Sequence, residues 1–195
     1  EINPEHADII PVQQKSRKWS RGFIAVKPNC SLQCYMAPLF ALHRKFGVKQ
    51  AIVTTMQAIS GGGHSSFSTI DIEDNVIPFI GGEEEKSERE PLKILGRIKG
   101  EEIVYSSGPR ISAHCNRVPV MDGHMACVSV KFEKKPTREQ MLEAWRSFRG
   151  LPQELNLPSA PQHPIIYKDE PDRPQTRYDR DNEKGMAVSV GRLRE

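Results

Sequence analysis

The sequence predicts an α+β domain: a mixed, mostly antiparallel sheet with helices on one face. Three observations predict it. Short β-branched, alternating runs recur at 22–26, 48–60, 110–117, 124–133 and 186–194. Stretches of helical period lie between them, at 31–46, 84–98 and 137–150. The runs 110–117 and 124–133 follow one another without a helix, which favours antiparallel pairing. At 195 residues the chain holds roughly 1.3 domains of about 150 residues. It reads as one unit, 1–195, with an irregular excursion over 151–184.

The elements follow in order. Gly22-Phe23-Ile24-Ala25-Val26 is apolar and β-branched, so a strand is expected, punctuated by Pro28-Asn29. From Ser31 to Phe46, Leu32, Met36, Leu39, Phe40 and Leu42 suit one amphipathic helix, with Asn29 at its N-cap position and Pro38 as a kink. Val48–Ser60 alternates Ala51, Val53 and Thr55 against Ile52, Thr54 and Met56, a strand that Gly61-Gly62-Gly63 ends. The charge-dense segment 83–90 leads into Leu92, Ile94, Leu95 and Ile98, which predicts a helix over 84–98. Ala126, Val128, Val130 and Phe132 have period two. Thr137, with Gln140 three residues on, has the form of a capping box and starts a helix running towards Gly150. Six of the fifteen prolines fall within 151–174.

Composition narrows the function. The formal net charge is +3, with acidic and basic residues interleaved, so no nucleic-acid partner is expected. No apolar run approaches the roughly 18 residues of a membrane span. The first residues carry neither a basic flank nor an apolar stretch, so no secretory signal is expected. There is no GxGxxG and no GxxxxGK[ST] loop. Cys30, Cys34, Cys115 and Cys127 are expected as free thiols, which places the protein in the reducing cytoplasm. Cys30, Cys34 and His114-Cys115 lack a second tight pair facing them, so no metal is expected.

A few residues invite chemistry, each beside a plainer reading. Cys30 follows a strand and opens a helix, where unpaired N–H groups favour a thiolate nucleophile; it could also be a packed core thiol. His124 sits at the turn Met121-Asp122-Gly123-His124, suited to a base or to an ordinary surface histidine. Arg117 could offer a planar fork to a carboxylate or phosphate, or form a routine salt bridge. Gln57 could donate to a carbonyl oxygen or face solvent. Glu83 and Lys86, three apart, could share a helix face towards a zwitterionic or phosphorylated ligand, or belong to a solvated cluster. Gly61-Gly62-Gly63 could let a ligand approach backbone N–H groups, or form a flexible turn.

Taken together, Pro28-Asn29-Cys30-Ser31, Met56-Gln57-Ala58-Ile59-Ser60-Gly61-Gly62-Gly63 and Cys115-Asn116-Arg117-Val118-Pro119-Val120-Met121-Asp122-Gly123-His124 resemble the aspartate-semialdehyde dehydrogenase family. Gly82-Glu83-Glu84-Glu85-Lys86, with Lys93-Ile94-Leu95, is similar to its archaeal and fungal branch. The resemblance implies the fold of the glyceraldehyde-3-phosphate dehydrogenase C-terminal domain. It also implies an NADP-dependent reductive dephosphorylation of L-aspartyl-4-phosphate to L-aspartate 4-semialdehyde and phosphate, on the route to lysine, methionine and threonine. Under it Cys30 forms the thioester, His124 is the acid/base group and Gln57 orients the acyl-enzyme. Arg117 binds the α-carboxylate and Glu83 the ammonium group, while Lys86 and Asn29 contact phosphate. Ser60, Gly61 and Gly62 border the cofactor. In that family a Rossmann domain carrying the nucleotide loop precedes this region, and a C-terminal helix follows it. Both are expected to be absent here, which predicts a catalytic and dimerisation domain inactive alone, forming homodimers or tetramers. The alternatives are a malonyl-coenzyme A reductase-like thioester reductase and a non-catalytic dimerisation module.

Overall fold

The computed structural model describes residues 2–63 and 69–194. A 3-10 turn, Pro4–Ile9, runs into α1 (Ile10–Arg17). After an extended segment come α2 (Cys30–Gln33), α3 (Met36–Phe46) and β1 (Val48–Gln57). A 3-10 turn, Ile59–Gly62, is followed by α4 (Thr69–Ile72), α5 (Glu83–Ile94) and the short strands β2 (Arg97–Lys99) and β3 (Glu102–Val104). Next are β4 (Arg110–Arg117), β5 (Met125–Phe132), α6 (Arg138–Arg146), α7 (Leu151–Glu154), β6 (Ile165–Lys168), α8 (Thr176–Asp179) and β7 (Val188–Gly191). The class is α+β, as expected.

The main sheet is mixed, in the order β4-β1-β5. β1 runs parallel to β4, with Gln57 opposite Arg117, and antiparallel to β5, with Met56 opposite Met125. β2 and β3 form a hairpin, and β6 pairs parallel with β7. Alternation along β1 sends Ala51, Val53, Thr55 and Gln57 to a buried face. Leu32, Tyr35 and Leu39 pack on that face, with Ile94 of α5 beside them. Ile52, Ser112, His114, Cys127 and Ser129 lie on the opposite face and are exposed. A second core joins Ala41 and Leu42 of α3 to Leu142, Trp145, Phe148 and Ile165. Across it the Trp145 indole donates to the Pro38 carbonyl at 3.1 Å.

The acidic run of α5 has a structural use that its charge alone hides. β4 is an edge strand, and its outward N–H groups need acceptors. Glu88 accepts from Ala113 N at 3.1 Å and Glu84 accepts from Cys115 N at 3.2 Å. These carboxylates are four apart and share one helix face. Glu90, two residues on, accepts from Asn29 N at 2.7 Å.

Several elements differ from expectation. Residues 22–26 are not a strand: Phe23, Ile24 and Val26 stand exposed, and both backbone polar groups of Ile24 bond to the Gln13 side chain. The single helix expected over 31–46 is broken at Cys34-Tyr35 into α2 and α3. Pro38 therefore falls in the first turn of α3, where it removes an N–H with no helical partner and kinks nothing. α5 stops at Ile94, and 97–104 turn back as a hairpin. Within 151–184, read as irregular, the structure has α7, β6 and α8. At the helix entry that sequence marked, Thr137 and Gln140 form the reciprocal capping box of α6.

Candidate active site

The mixed topology gathers the candidate residues at one sheet edge. Parallel strands end together, so Gln57 closes β1 beside Arg117 closing β4. Antiparallel β5 begins where they end, with His124 just ahead of its first residue. Had β4 run the other way, Arg117 would stand roughly 25 Å off, eight residues at about 3.3 Å each. Two hydrogen bonds with Ile77 fix the Arg117 backbone, N to O at 2.9 Å and O from N at 3.0 Å.

Cys30 enters from the other side, on α2. Asn29 is the N-cap: its Oδ1 accepts from Ser31 N at 2.8 Å and from Ser31 Oγ at 2.7 Å. α2 is a single turn, so the long helix expected behind Cys30 is not there. Cys30, Cys34 and His124 line one cavity of about 610 Å³, together with Lys27, Thr176 and Arg180. Burial pushes the Cys34 thiol up to about 12, and it donates to Ser31 O at 2.9 Å. A thiol that stays protonated is a poor competitor as nucleophile. The four cysteines are not joined to one another.

Glu83 is the hub. Asn29 Nδ2 donates to both of its carboxylate oxygens at 2.8 Å, Gln57 Nε2 to Oε2 at 3.2 Å and Lys86 Nζ to Oε1 at 3.1 Å. Burial pulls the Glu83 carboxyl up, but these bonds outweigh it and hold it below the usual carboxylate range. Gln57 is fully buried, so its amide needs these partners; a second is Thr55 Oγ1 at 3.3 Å. Asn29 and Lys86 both point at this carboxylate. Lys86 remains half-exposed.

His124 is held through its backbone-facing nitrogen. Ala58 N donates to Nδ1 at 3.0 Å, which places the proton of the neutral ring on Nε2. Burial lowers the His124 pKa, and the Arg117 charge lowers it further. Arg117 Nη1 donates to Ala58 O at 2.7 Å. One residue, Ala58, thus fixes both side chains through its two backbone groups. Burial also lowers the Arg117 pKa, against the pull of Glu83 and Cys30.

Gly61 lies against this pair. A Cβ there would sit 3.0 Å from Arg117 Nη1 and 3.0 Å from His124 Cε1. Both neighbours are tied to Ala58 and cannot retreat freely. Gly61→Ala is expected to displace the Arg117 and His124 side chains by a few tenths of an ångström, read as a shift of the His124 ring signals in NMR, with little change in Tm in thermal unfolding.

The structure thus brings Asn29, Cys30, Gln57, Glu83, Lys86, Arg117 and His124 together, with Ser60, Gly61 and Gly62 at their border. Sequence reasoning missed Ala58, whose role is purely backbone, and Lys27, Thr176, Asp179 and Arg180, which line the cavity from segments without periodicity. Among the described residues, no three His, Cys, Asp or Glu side chains are grouped to hold a metal ion. No helix among them is long and apolar enough to cross a membrane.

A cysteine and a histidine lining one cavity, close to a buried carboxylate and a guanidinium, are groups able to carry thiol chemistry on a charged ligand. The chain belongs to the family described as semialdehyde dehydrogenase, dimerisation domain, which it matches over residues 39–195. It is 47% identical to the aspartate-semialdehyde dehydrogenase of Methanothermobacter thermautotrophicus over 195 residues, covering all of this chain and 56% of that protein. With the Schizosaccharomyces pombe aspartate-semialdehyde dehydrogenase the identity is 48%, over 99% of this chain and 56% of the relative. The crystal structure of the Candida albicans aspartate-semialdehyde dehydrogenase with NADP is similar at a TM-score of 0.85 and 41% identity, over all of this chain and 56% of that one. The chain spans about half the length of these relatives.

Proposed function

We propose that this chain is the catalytic and substrate-binding part of an NADP-dependent aspartate-semialdehyde dehydrogenase. The observation that carries this reading is the ionised Glu83, fixed by Asn29, Gln57 and Lys86, beside the buried Arg117. A carboxylate and a guanidinium near one nucleophile suit the ammonium and carboxylate of an α-amino acid. The matching names of the relatives support it.

Cys30 Sγ attacks the acyl carbon of L-aspartyl-4-phosphate as the thiolate; the C–S bond forms, the C–O bond to phosphate breaks, and the thiol proton leaves with the phosphate. Gln57 steadies the acyl-enzyme from its buried position. His124 donates through Nε2–H to the oxygen that gathers charge, and its lowered pKa keeps it neutral near pH 7. Lys86, half-exposed, has room to meet the departing phosphate while it holds Glu83, and Asn29 donates to the same carboxylate beside it. The nicotinamide cofactor, when bound, supplies the hydride that reduces the thioester. The bare, exposed backbone at Ser60 and Gly61, against His124 and Arg117, fits the close approach of a flat ring, with Gly62 continuing the same turn. Collapse of the reduced thioester breaks its C–S bond, which releases the aldehyde and leaves the Cys30 thiolate for the next cycle.

NADPH oxidation by the whole protein, at the length of its relatives, tests the reading. L-aspartyl-4-phosphate is expected to support turnover and malonyl-coenzyme A, which has no ammonium group, is not. The reverse preference would assign a thioester reductase, and no turnover with either would leave an association module.

The family's dimerisation and the exposed sheet face support a homodimer, and the free thiols suit the reducing cytoplasm. Ile52, at the centre of that face, is 47% exposed. Ile52→Glu places a charge there and is expected to convert dimer to monomer in sedimentation velocity.

A further inference from the structure

We infer that Asp179 is a positioning residue for His124: it is the buried anchor that holds the α8 wall of the cavity against the turn carrying the imidazole. The inference rests on the assignment of His124 above and adds a residue outside the expected site.

Asp179 is 4% exposed. Its carboxylate accepts from Arg173 Nε at 2.7 Å and Nη2 at 2.6 Å, from Gln175 N at 2.7 Å and from Asn182 Nδ2 at 3.3 Å. Lys168 Nζ stands 3.4 Å away. These donors come from β6, from the loop before α8 and from the turn after it, so one carboxylate gathers three chain segments. Asn182 extends the link to Ser189 Oγ of β7 at 2.9 Å. The bidentate Arg173 first, then the backbone and Lys168 bonds, hold the Asp179 carboxyl far below its ordinary range against the cost of burial. α8 is only four residues long, and a single turn does not hold its place by itself.

What α8 holds is the turn before β5. Thr176 Cβ and Arg180 Cβ lie 3.5 and 3.4 Å from where a Cβ on Gly123 would stand. Those are ordinary van der Waals distances, so the turn packs directly on α8, and φ +91 at Gly123 makes any side chain there strained. Arg180 Nη1 donates to Asp122 O at 3.2 Å. On the opposite side Ile59 N donates to Val120 O at 2.8 Å, Ser60 N to Met121 O at 3.1 Å and Ala58 N to His124 Nδ1 at 3.0 Å. The turn is gripped between residues 58–60 and α8, and Gln175, Thr176, Asp179 and Arg180 border the cavity of Cys30 and His124. Loss of the anchor frees one jaw and admits water to the imidazole.

The charged groups that act on His124 are Arg117 of β4, Glu83 of α5 and Lys27 of the segment before α2. Arg180 meets its turn at Asp122. The test is the titration of His124, read by NMR of its ring in the whole protein, which needs no turnover and so stands apart from the enzymatic assignment. In Asp179→Asn the midpoint is expected to rise towards the ordinary 6.5 as the ring is rehydrated. The sign discriminates: loss of a negative charge by Coulomb's law alone would lower it, and a role confined to stability would not move it. Arg173→Lys keeps the charge but loses the fork, and is expected to raise the midpoint in the same direction by less. Asp179→Glu is expected to restore part of the native value. An unchanged or lowered midpoint in folded Asp179→Asn overturns the proposal. If that variant does not fold, an unchanged midpoint in Arg173→Lys does so.

Discussion

Replacing Cys30 by serine is expected to abolish turnover of the whole protein, by a factor on the order of 10⁴ or more. The hydroxyl of serine ionises far less readily than a thiol, and an oxygen ester is a poorer hydride acceptor than a thioester. Among the described residues Cys34, four residues on, does not substitute, because burial holds it protonated with a pKa of about 12. Structure should survive, because Asn29, the cap of α2, bonds Ser31 and Glu83. The measurement is NADPH oxidation with L-aspartyl-4-phosphate, alongside thermal unfolding of the variant. Wild-type turnover in Cys30→Ser would remove the cysteine from the chemistry.

Glu83→Gln is expected to lower kcat/KM on the order of 100-fold, about 3 kcal/mol, with KM rising most. Asn29, Gln57 and Lys86 all donate to this carboxylate. A glutamine offers one neutral acceptor and places its own N–H groups among theirs. The pH dependence carries a sign. Glu83 has a pKa lowered from 4.5 in the folded protein. It therefore contributes stability that is fully present above 4.5 and is lost as pH falls through the lower folded value. The stability difference between native and Glu83→Gln proteins should be constant at neutral pH and shrink in that acidic window, as followed by denaturant unfolding at each pH.

Periodicity carried the sheet. β4 was legible to the residue, and β5 within a residue or two, because alternation over eight positions is a strong signal. The capping box of α6 was legible because two side chains at fixed spacing make it. The losses have physical causes. α1 buries none of its residues, so it has no apolar stripe to betray it. β2, β3 and β6 are three or four residues long, too short to show a period. Residues 22–26 have strand composition, but composition does not supply a partner strand. At the site, side-chain chemistry was legible and backbone chemistry was not: Gln57, Glu83, Arg117 and His124 were visible by type and order, whereas Ala58 acts through groups every residue has. Asp179 lay hidden because Asp172, Arg173, Arg180 and Asp181 surround it with charges that reach the surface.

The shared register of β1 and β4 also works as a ruler. One residue inserted within β4 would turn the Arg117 side chain to the opposite face, and two would carry it roughly 6.6 Å past Gln57. No such metric applies at the remote end, where 105–109 lead into β4 and 135–137 lead from β5 to α6. New peptide, a tag or a fluorophore belongs at those connections, where chain length can change while the distances among Gln57, Arg117 and His124 stay fixed.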